Sequence, residues 1–192
     1  VPSIRTTSQL GTGLKLPYFI KLGDHRDLTL TPYISTATRT LEFRYRQAFA
    51  RGRMQFDGAI TRDDERPDAT RGYLIGRGAF NLERDYTLTF DIEAVNDNAY
   101  FSQYDYHNED RLESQITIER ARRDAYVRAS IFNFESLRVS DINDNLPTIV
   151  LDGEYERRFF PSAIGGEVRL SLHAHSHTRA SDLDVDGPDA DL

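Results

Sequence analysis

Apolar and polar residues alternate one by one through much of this chain. Over 14–22, Leu14, Leu16, Tyr18, Ile20 and Leu22 fall on one parity, and Lys15, Pro17 and Lys21 on the other. Over 86–94, Tyr86, Leu88, Phe90, Ile92 and Ala94 oppose Thr87, Thr89, Asp91 and Glu93. Successive side chains of a strand point to opposite faces, so each segment reads as a strand with one apolar and one wet side. This reading predicts strands at approximately 13–22, 28–34, 39–48, 53–62, 71–82, 86–95, 111–120, 125–134, 148–157 and 166–176. Segments 71–82 and 125–134 alternate less cleanly. Segment 111–123 also offers helical spacing through Leu112, Ile116 and Arg120, but Ile116-Thr-Ile118 favours a strand. The pattern predicts an all-β chain, an antiparallel up-and-down meander of about ten strands.

The connections have a rhythm of their own. Short ones at Gly23-Asp24-His25-Arg26, Ala50-Arg51-Gly52, Glu83-Arg84-Asp85 and Arg122-Arg123-Asp124 alternate with longer ones at 63–70, 96–110, 135–147 and from 177 onward. Alternate connections of a meander lie at opposite ends, so the long ones gather at one end, with 35–38 the short exception. Transmembrane β-barrels have this asymmetry, and a β-sandwich gives no reason for it. The polar parity carries long charged side chains in mid-strand, among them Arg44, Arg46, Asp91, Glu93, Glu113 and Arg169. A solvated sheet surface explains them. A water-filled barrel lumen explains them too and needs no second sheet over the apolar face. Tyr18, Tyr33, Tyr45, Tyr73, Tyr86 and Tyr100 are candidates for an interfacial aromatic girdle.

Composition narrows the function. At 192 residues, with 39% hydrophobic content, no stretch reaches the ~18 apolar residues of a membrane helix, which leaves a strand-built membrane wall open. The net charge of -7 argues against nucleic acid, whose phosphates need a concentrated basic surface. Without cysteine there is no thiolate nucleophile or cysteine metal site. No Gly-x-Ser-x-Gly elbow, glycine-rich phosphate loop or convincing carboxylate pair is present, which leaves open a constellation assembled across strands; a membrane-wall reading implies no enzyme and no cofactor.

Three motifs invite a metal reading. Asp141-Ile-Asn-Asp-Asn-Leu-Pro147 matches a calcium linker of cadherin type, with Asp141, Asn143, Asp144 and Asn145 as oxygen ligands. It lacks the upstream acidic partner and the repeat that such sites need, and Asp and Asn are also ordinary loop formers. Asp182-x-Asp184-x-Asp186-Gly187 is half of an EF-hand loop without flanking helices. His173, His175 and His177 share a strand parity without a cysteine or carboxylate among them. The calcium reading carries the alternative function, a soluble calcium-binding β-sandwich adhesion or binding module.

Several stretches resemble the barrel of the lipopolysaccharide-assembly outer-membrane proteins, the LptD family. Leu16-Pro-Tyr-Phe-Ile20 followed by Asp27-Leu-Thr-Leu-Thr-Pro-Tyr33 is similar to the family's first two barrel strands. Leu41-Glu-Phe-Arg-Tyr45 is similar to its third, and Val95-Asn-Asp-Asn-Ala-Tyr-Phe101 to a loop in which Asn96 replaces an expected serine. With Val1-Pro-Ser-Ile4, the resemblance spans most of residues 1–160.

The resemblance implies the N-terminal part of a large transmembrane β-barrel, an open curled sheet when taken alone, in the outer membrane of a Gram-negative bacterium. It implies translocation and assembly of lipopolysaccharide into the outer leaflet through a lateral gate. The implied partners are lipopolysaccharide, an LptE-like lipoprotein plug, periplasmic bridge proteins and outer-membrane lipid. Residues 1–12 become a lead-in from a periplasmic domain, 13–176 the first barrel strands and 177–192 a truncated acidic loop. By resemblance, Pro17 and Pro32 weaken pairing at the gate seam, since proline removes a ladder donor. If the long loops are external, a first strand at 13–22 begins on the outer side. Residues 1–12 would then have to cross the wall or lumen, unless another strand precedes.

Overall fold

The computed structural model describes residues 2–7, 11–64, 67–104, 111–138, 149–163 and 165–178. They form one antiparallel sheet: β1 (Ser3–Thr7), β2 (Gly11–Lys15), β3 (Tyr18–Gly23), β4 (Arg26–Ile34), β5 (Thr38–Phe49), β6 (Gly52–Asp63), β7 (Arg71–Asn81), β8 (Thr87–Val95), β9 (Arg111–Arg122), β10 (Ala125–Ser136), β11 (Ile149–Phe159) and β12 (Val168–Thr178). From β4 onward each strand pairs with its successor in the chain, and no pairing joins the first strand to the last, so the sheet is open. The 111–123 segment is strand β9. Among the described residues the helical content is a five-residue helix α1 (Tyr100–Tyr104) and one 3-10 turn (Glu83–Asp85). No second sheet packs over this one among the described residues, so the β-sandwich alternative has no counterpart in it.

Register carries the alternation from strand to strand. Thr40 lies opposite Thr61, Arg44 opposite Asp57, Arg77 opposite Asp91 and Glu154 opposite His173, all of one parity. That face is charged. Arg46 bridges Asp27 at 3.0 Å, Arg44 bridges Asp57 at 2.5 Å, Arg77 bridges Asp91 at 3.0 Å, and Arg128 bridges Asp152 at 3.0 Å. It curves inward from β3 to β8 around a cavity of about 830 Å³, bordered by Lys21, Asp27, Arg46, Gln55, Arg77 and Asp91. The other face is apolar and uncovered. Leu14, Leu41, Ile60, Ile116, Ile131, Leu151, Leu170 and Leu172 are all exposed.

The uneven alternation of segment 71–82 has a packing cause. Gly76 and Gly78 stand where β7 would present side chains on the apolar face, and rings of its two neighbours lie over them instead. A Cβ on Gly76 would meet the Phe56 ring at 2.5 Å, and one on Gly78 the Phe90 ring at 2.2 Å. Phe56 and Phe90 stack across β7 with centroids 6.0 Å apart, and Phe90 continues onto Phe80 at 6.3 Å. Rings laid over glycine fill the gap the missing side chain leaves.

Four expectations are corrected. The predicted strand 13–22 is two strands, because the ladder to β4 is interrupted at Leu16 and Pro17. A strand was also missed, since Ser3–Thr7 pairs with β2, Ser3 opposite Lys15 and Thr7 opposite Gly11. Ser3 therefore lies about halfway along the edge formed by β2 and β3, and Thr7 lies toward the long-loop rim. Tyr33 and Tyr73 are not girdle residues on the apolar face, because register sets them opposite Thr40 and Ala59 on the charged face. The long connections do share one rim, but 160–167 is a longer one at the opposite rim.

Replacing Gly78 with valine should displace the Phe90 ring and destabilise the sheet by about 1–3 kcal/mol. Denaturant unfolding of the full-length protein in detergent, compared with the Ala79→Val control on the charged face, measures it.

Candidate functional site: a capped rim and an interrupted edge

Two features stand out from the regular ladder. The first is at the long-loop rim of the charged face, where the loop after β8 folds back as α1. Asp97 starts it: its carboxylate accepts from the Ala99 amide at 3.0 Å and its carbonyl from the Tyr100 amide at 2.9 Å. Asn96 fixes the preceding turn, accepting from the Gly72 amide at 2.8 Å and donating to the Thr70 carbonyl at 2.9 Å. Tyr100, Phe101 and Tyr104 are thereby buried against the sheet, with Tyr73 packed on Phe101 at 5.3 Å.

Beneath the rings lies Arg71, fully buried, its guanidinium 5.2 Å from the Tyr100 centroid and 5.9 Å from that of Tyr104. It bridges Asp63 at 3.0 Å and Asp97 at 2.9 Å. One cation thus ties the end of β6, the start of β7 and the loop that carries α1. Removing a partner from such a pair is costly, because a buried charge is left uncompensated.

Hydroxyls extend the network. Tyr104 donates to Asp63 at 2.7 Å, since an ionised carboxylate can only accept. Its single hydrogen is then spent, so Thr38, 2.7 Å away, donates to Tyr104. The same logic runs back through Thr40 at 3.1 Å and Thr61 at 2.8 Å to Tyr100, which donates to Thr61. One carboxylate therefore orients five hydroxyls in sequence. Burial pushes the Tyr100 hydroxyl pKa up. It also pushes Tyr104 up to about 12, with Thr38 opposing and Asp63 adding to the shift. A phenol whose folded pKa is raised keeps its full contribution below its unfolded value near 10 and loses it as pH rises through about 12.

The second feature is the edge. The Leu16 amide donates to the Pro32 carbonyl at 3.1 Å, but Pro32 has no N–H to return. Donors alternate sides along a strand, so the missing donor of Pro17 faces the opposite edge, toward β1. Pairing with β1 stops just short of it at Lys15, and β3 beyond has no outer partner among the described residues. Tyr18 is 68% exposed there and Phe19 57%. Pro32 lies inside β4 as expected, whereas Pro17 lies between strands.

Other sequence candidates fall as follows. Arg44, Arg46, Asp91, Glu93, Glu113 and Arg169 are all on the charged face, but they are strung along it rather than gathered. Glu93 is 3.6 Å from Arg77, Arg169 is 3.7 Å from Glu156, and Glu113 stands exposed opposite Phe134. His173 and His175 face Glu154 and Asp152 across the ladder, with His175 at 3.9 Å from Asp152. Among the described residues no three such groups converge as metal ligands. Asp141, Asn143, Asp144, Asn145 and the 182–187 motif lie outside the described residues.

Sequence reasoning missed the Arg71 network. Its trace is the Tyr100, Phe101 and Tyr104 spacing, one helical turn in an otherwise polar loop. Its partners lie at strand ends far away in the chain.

A one-sheet meander with a charged concave face, a bare apolar face and a loop folded against the charged side is the architecture of a transmembrane β-wall. No helix among the described residues is long and apolar enough to cross a membrane. The chain belongs to the LptD family: the family model described as "LPS transport system D" matches residues 69–187. The "LPS-assembly protein LptD" of Pseudomonas putida is 31% identical over 171 residues, covering 79% of this chain and 18% of that protein. The chain thus spans less than a fifth of that relative's length.

Replacing Arg71 with methionine should cost about 3–5 kcal/mol by stranding Asp63 and Asp97. It should also release α1. Faster proteolysis within 96–110 and a Tyr104 titration returning toward its ordinary value are the expected readings, followed by limited digestion and phenolate absorbance.

Proposed function

We propose that this chain forms part of the wall of an outer-membrane β-barrel that carries lipopolysaccharide to the outer leaflet of a Gram-negative bacterium. The observation that carries the reading is the pair of faces. One is apolar and largely exposed from β2 to β12, and the other is charged and, from β3 to β8, concave, which suits lipid outside and water inside. Arg44, Arg46, Asp91, Glu93, Glu113 and Arg169 then border the lumen, where the lipid's charged sugars would pass. The work is transport, not catalysis. The partners are lipopolysaccharide, periplasmic bridge proteins that deliver it, an LptE-like lipoprotein plug and the surrounding outer-membrane lipid.

The interrupted edge is proposed as one side of the lateral gate. With Pro32 unable to donate toward Leu16, the first strands lack a ladder bond to β4, and Pro17 offers no donor to the outer edge. A missing ladder bond is worth about 0.5–1.5 kcal/mol, which lowers the cost of opening this edge. Weak pairing there lets a lipid leave sideways without dismantling the wall.

Two measurements test the two levels of this reading. Phe90→Arg in the full-length protein should destabilise the barrel by about 2–4 kcal/mol if Phe90 meets lipid near the bilayer midplane. Unchanged assembly, followed by heat-modifiable gel mobility, would count against lipid contact. Replacing Pro17 and Pro32 together with residues that donate should slow arrival of lipopolysaccharide at the cell surface while barrel abundance stays normal. Normal delivery at normal abundance would remove the prolines from the gate.

A further inference from the structure

Several arginines of the charged face sit beside carboxylates across the ladder, as Arg44 does with Asp57, Arg46 with Asp27 and Arg77 with Asp91, and where Arg158 faces Arg169 the latter reaches Glu156 at 3.7 Å. On the apolar face one pair breaks this habit. Arg39 of β5 lies directly opposite Arg62 of β6. Cβ atoms of facing residues are about 4.5–5.5 Å apart, and like charges directly opposed destabilise a ladder. Both arginines are exposed, and neither has an ion pair or side-chain hydrogen bond among the described residues. Two arginines that start side by side on one face, with no carboxylate paired to either among the described residues, can converge on an anion.

Position says which anion. The next pair on the same face is Leu41 opposite Ile60, 45% and 57% exposed, and Ile34 of β4 lies opposite Arg39. The arginines therefore stand at the upper limit of the apolar band, one step from the long-loop rim. Both arginines line a cleft of about 240 Å³ with Ser35, Thr36 and Thr38, bordered also by Asp64 and by Asp63, whose carboxylate is held by Arg71. Asp64 forms no ion pair with either arginine among the described residues. A ligand here would meet two forked cations at its head and bare Leu41, Ile60 and Ile34 along its tail.

We propose that Arg39 and Arg62 clamp the phosphate monoester headgroup of a lipid lying against the outside of the wall, in the leaflet on the long-loop side. A dianionic phosphate takes a bidentate contact from each guanidinium and cancels their mutual repulsion. The acyl chains lie on the apolar band below. The inference rests on the membrane reading above and adds to it a lipid class and its two ligating residues.

The test uses the full-length protein in phosphatidylcholine nanodiscs containing a minor share of phosphatidic acid, with lipids retained after extraction identified by native mass spectrometry. Wild type should retain phosphatidic acid over phosphatidylcholine, and Arg39→Gln with Arg62→Gln should lower that preference about tenfold. The Arg39→Lys, Arg62→Lys pair keeps the charges and should keep part of the preference. Inorganic phosphate should not displace the lipid. Equal retention by wild type and the Gln pair, a Lys pair no better than the Gln pair, or full displacement by inorganic phosphate would each overturn the proposal. A fluorophore at Leu74, lower on the same face, should be quenched by lipids spin-labelled in their acyl chains. Loss of that quenching would sink the membrane reading and this proposal together. Quenching with unchanged lipid preference would sink this proposal alone.

Discussion

The antiparallel register is the constraint on which everything else in this molecule depends. From β4 through β12 each strand is tied to its neighbours by ladders that keep side-chain parity, so a residue on the charged face stays with the charged face across the sheet. A slip of one residue at any pairing would carry a whole strand's arginines and carboxylates onto the apolar side. The ion pairs help to prevent it, because Arg44 meets Asp57 and Arg46 meets Asp27 only in this register. Each exposed pair adds little stability. Their effect is on which alignment wins.

The two faces solve different packing problems. On the apolar side nothing covers the sheet, so aromatic rings lie flat over glycines of the adjacent strand, Phe56 over Gly76 and Phe90 over Gly78. On the charged side the long-loop rim is closed by α1, and an ordered hydroxyl chain ends on Asp63. The same device appears near the N-terminal edge of that face, where the Tyr33 ring lies over Gly13 with Lys15 at 5.3 Å from its centroid. Arg5 of β1 donates to the Tyr104 carbonyl at 2.7 Å, so the short first strand is tied to the cap as well as to β2.

Stability is unevenly distributed as a result. Most interior ladders run nine to twelve residue pairs, with five between β8 and β9, the α1 corner is locked by a buried cation, and β3 is held on one side only among the described residues.

How much of this was legible in the sequence varies element by element. Alternation is a local property of strands, so β4 to β12 and their two faces could be read from residues such as Leu41, Phe43 and Tyr45 against Glu42, Arg44 and Arg46. Pro17 and Pro32 were legible as disturbances, because proline acts on its own backbone whatever surrounds it. The five residues of β1 were not legible, since a short Ser-Ile-Arg-Thr-Thr segment has little signal apart from the β2 edge it pairs with. Nor was the Arg71 corner. Its members come from the end of β6, the start of β7 and the loop after β8, and Arg71, Asp63 and Asp97 each look like ordinary surface charges until register and the return of α1 bring them together. Tyr33 and Tyr73 make the same point, as their chemistry suits either face and only pairing to β5 and β6 decided which. Side-chain parity belongs to the chain, but the partner across a ladder or beneath a loop exists only once the sheet has formed.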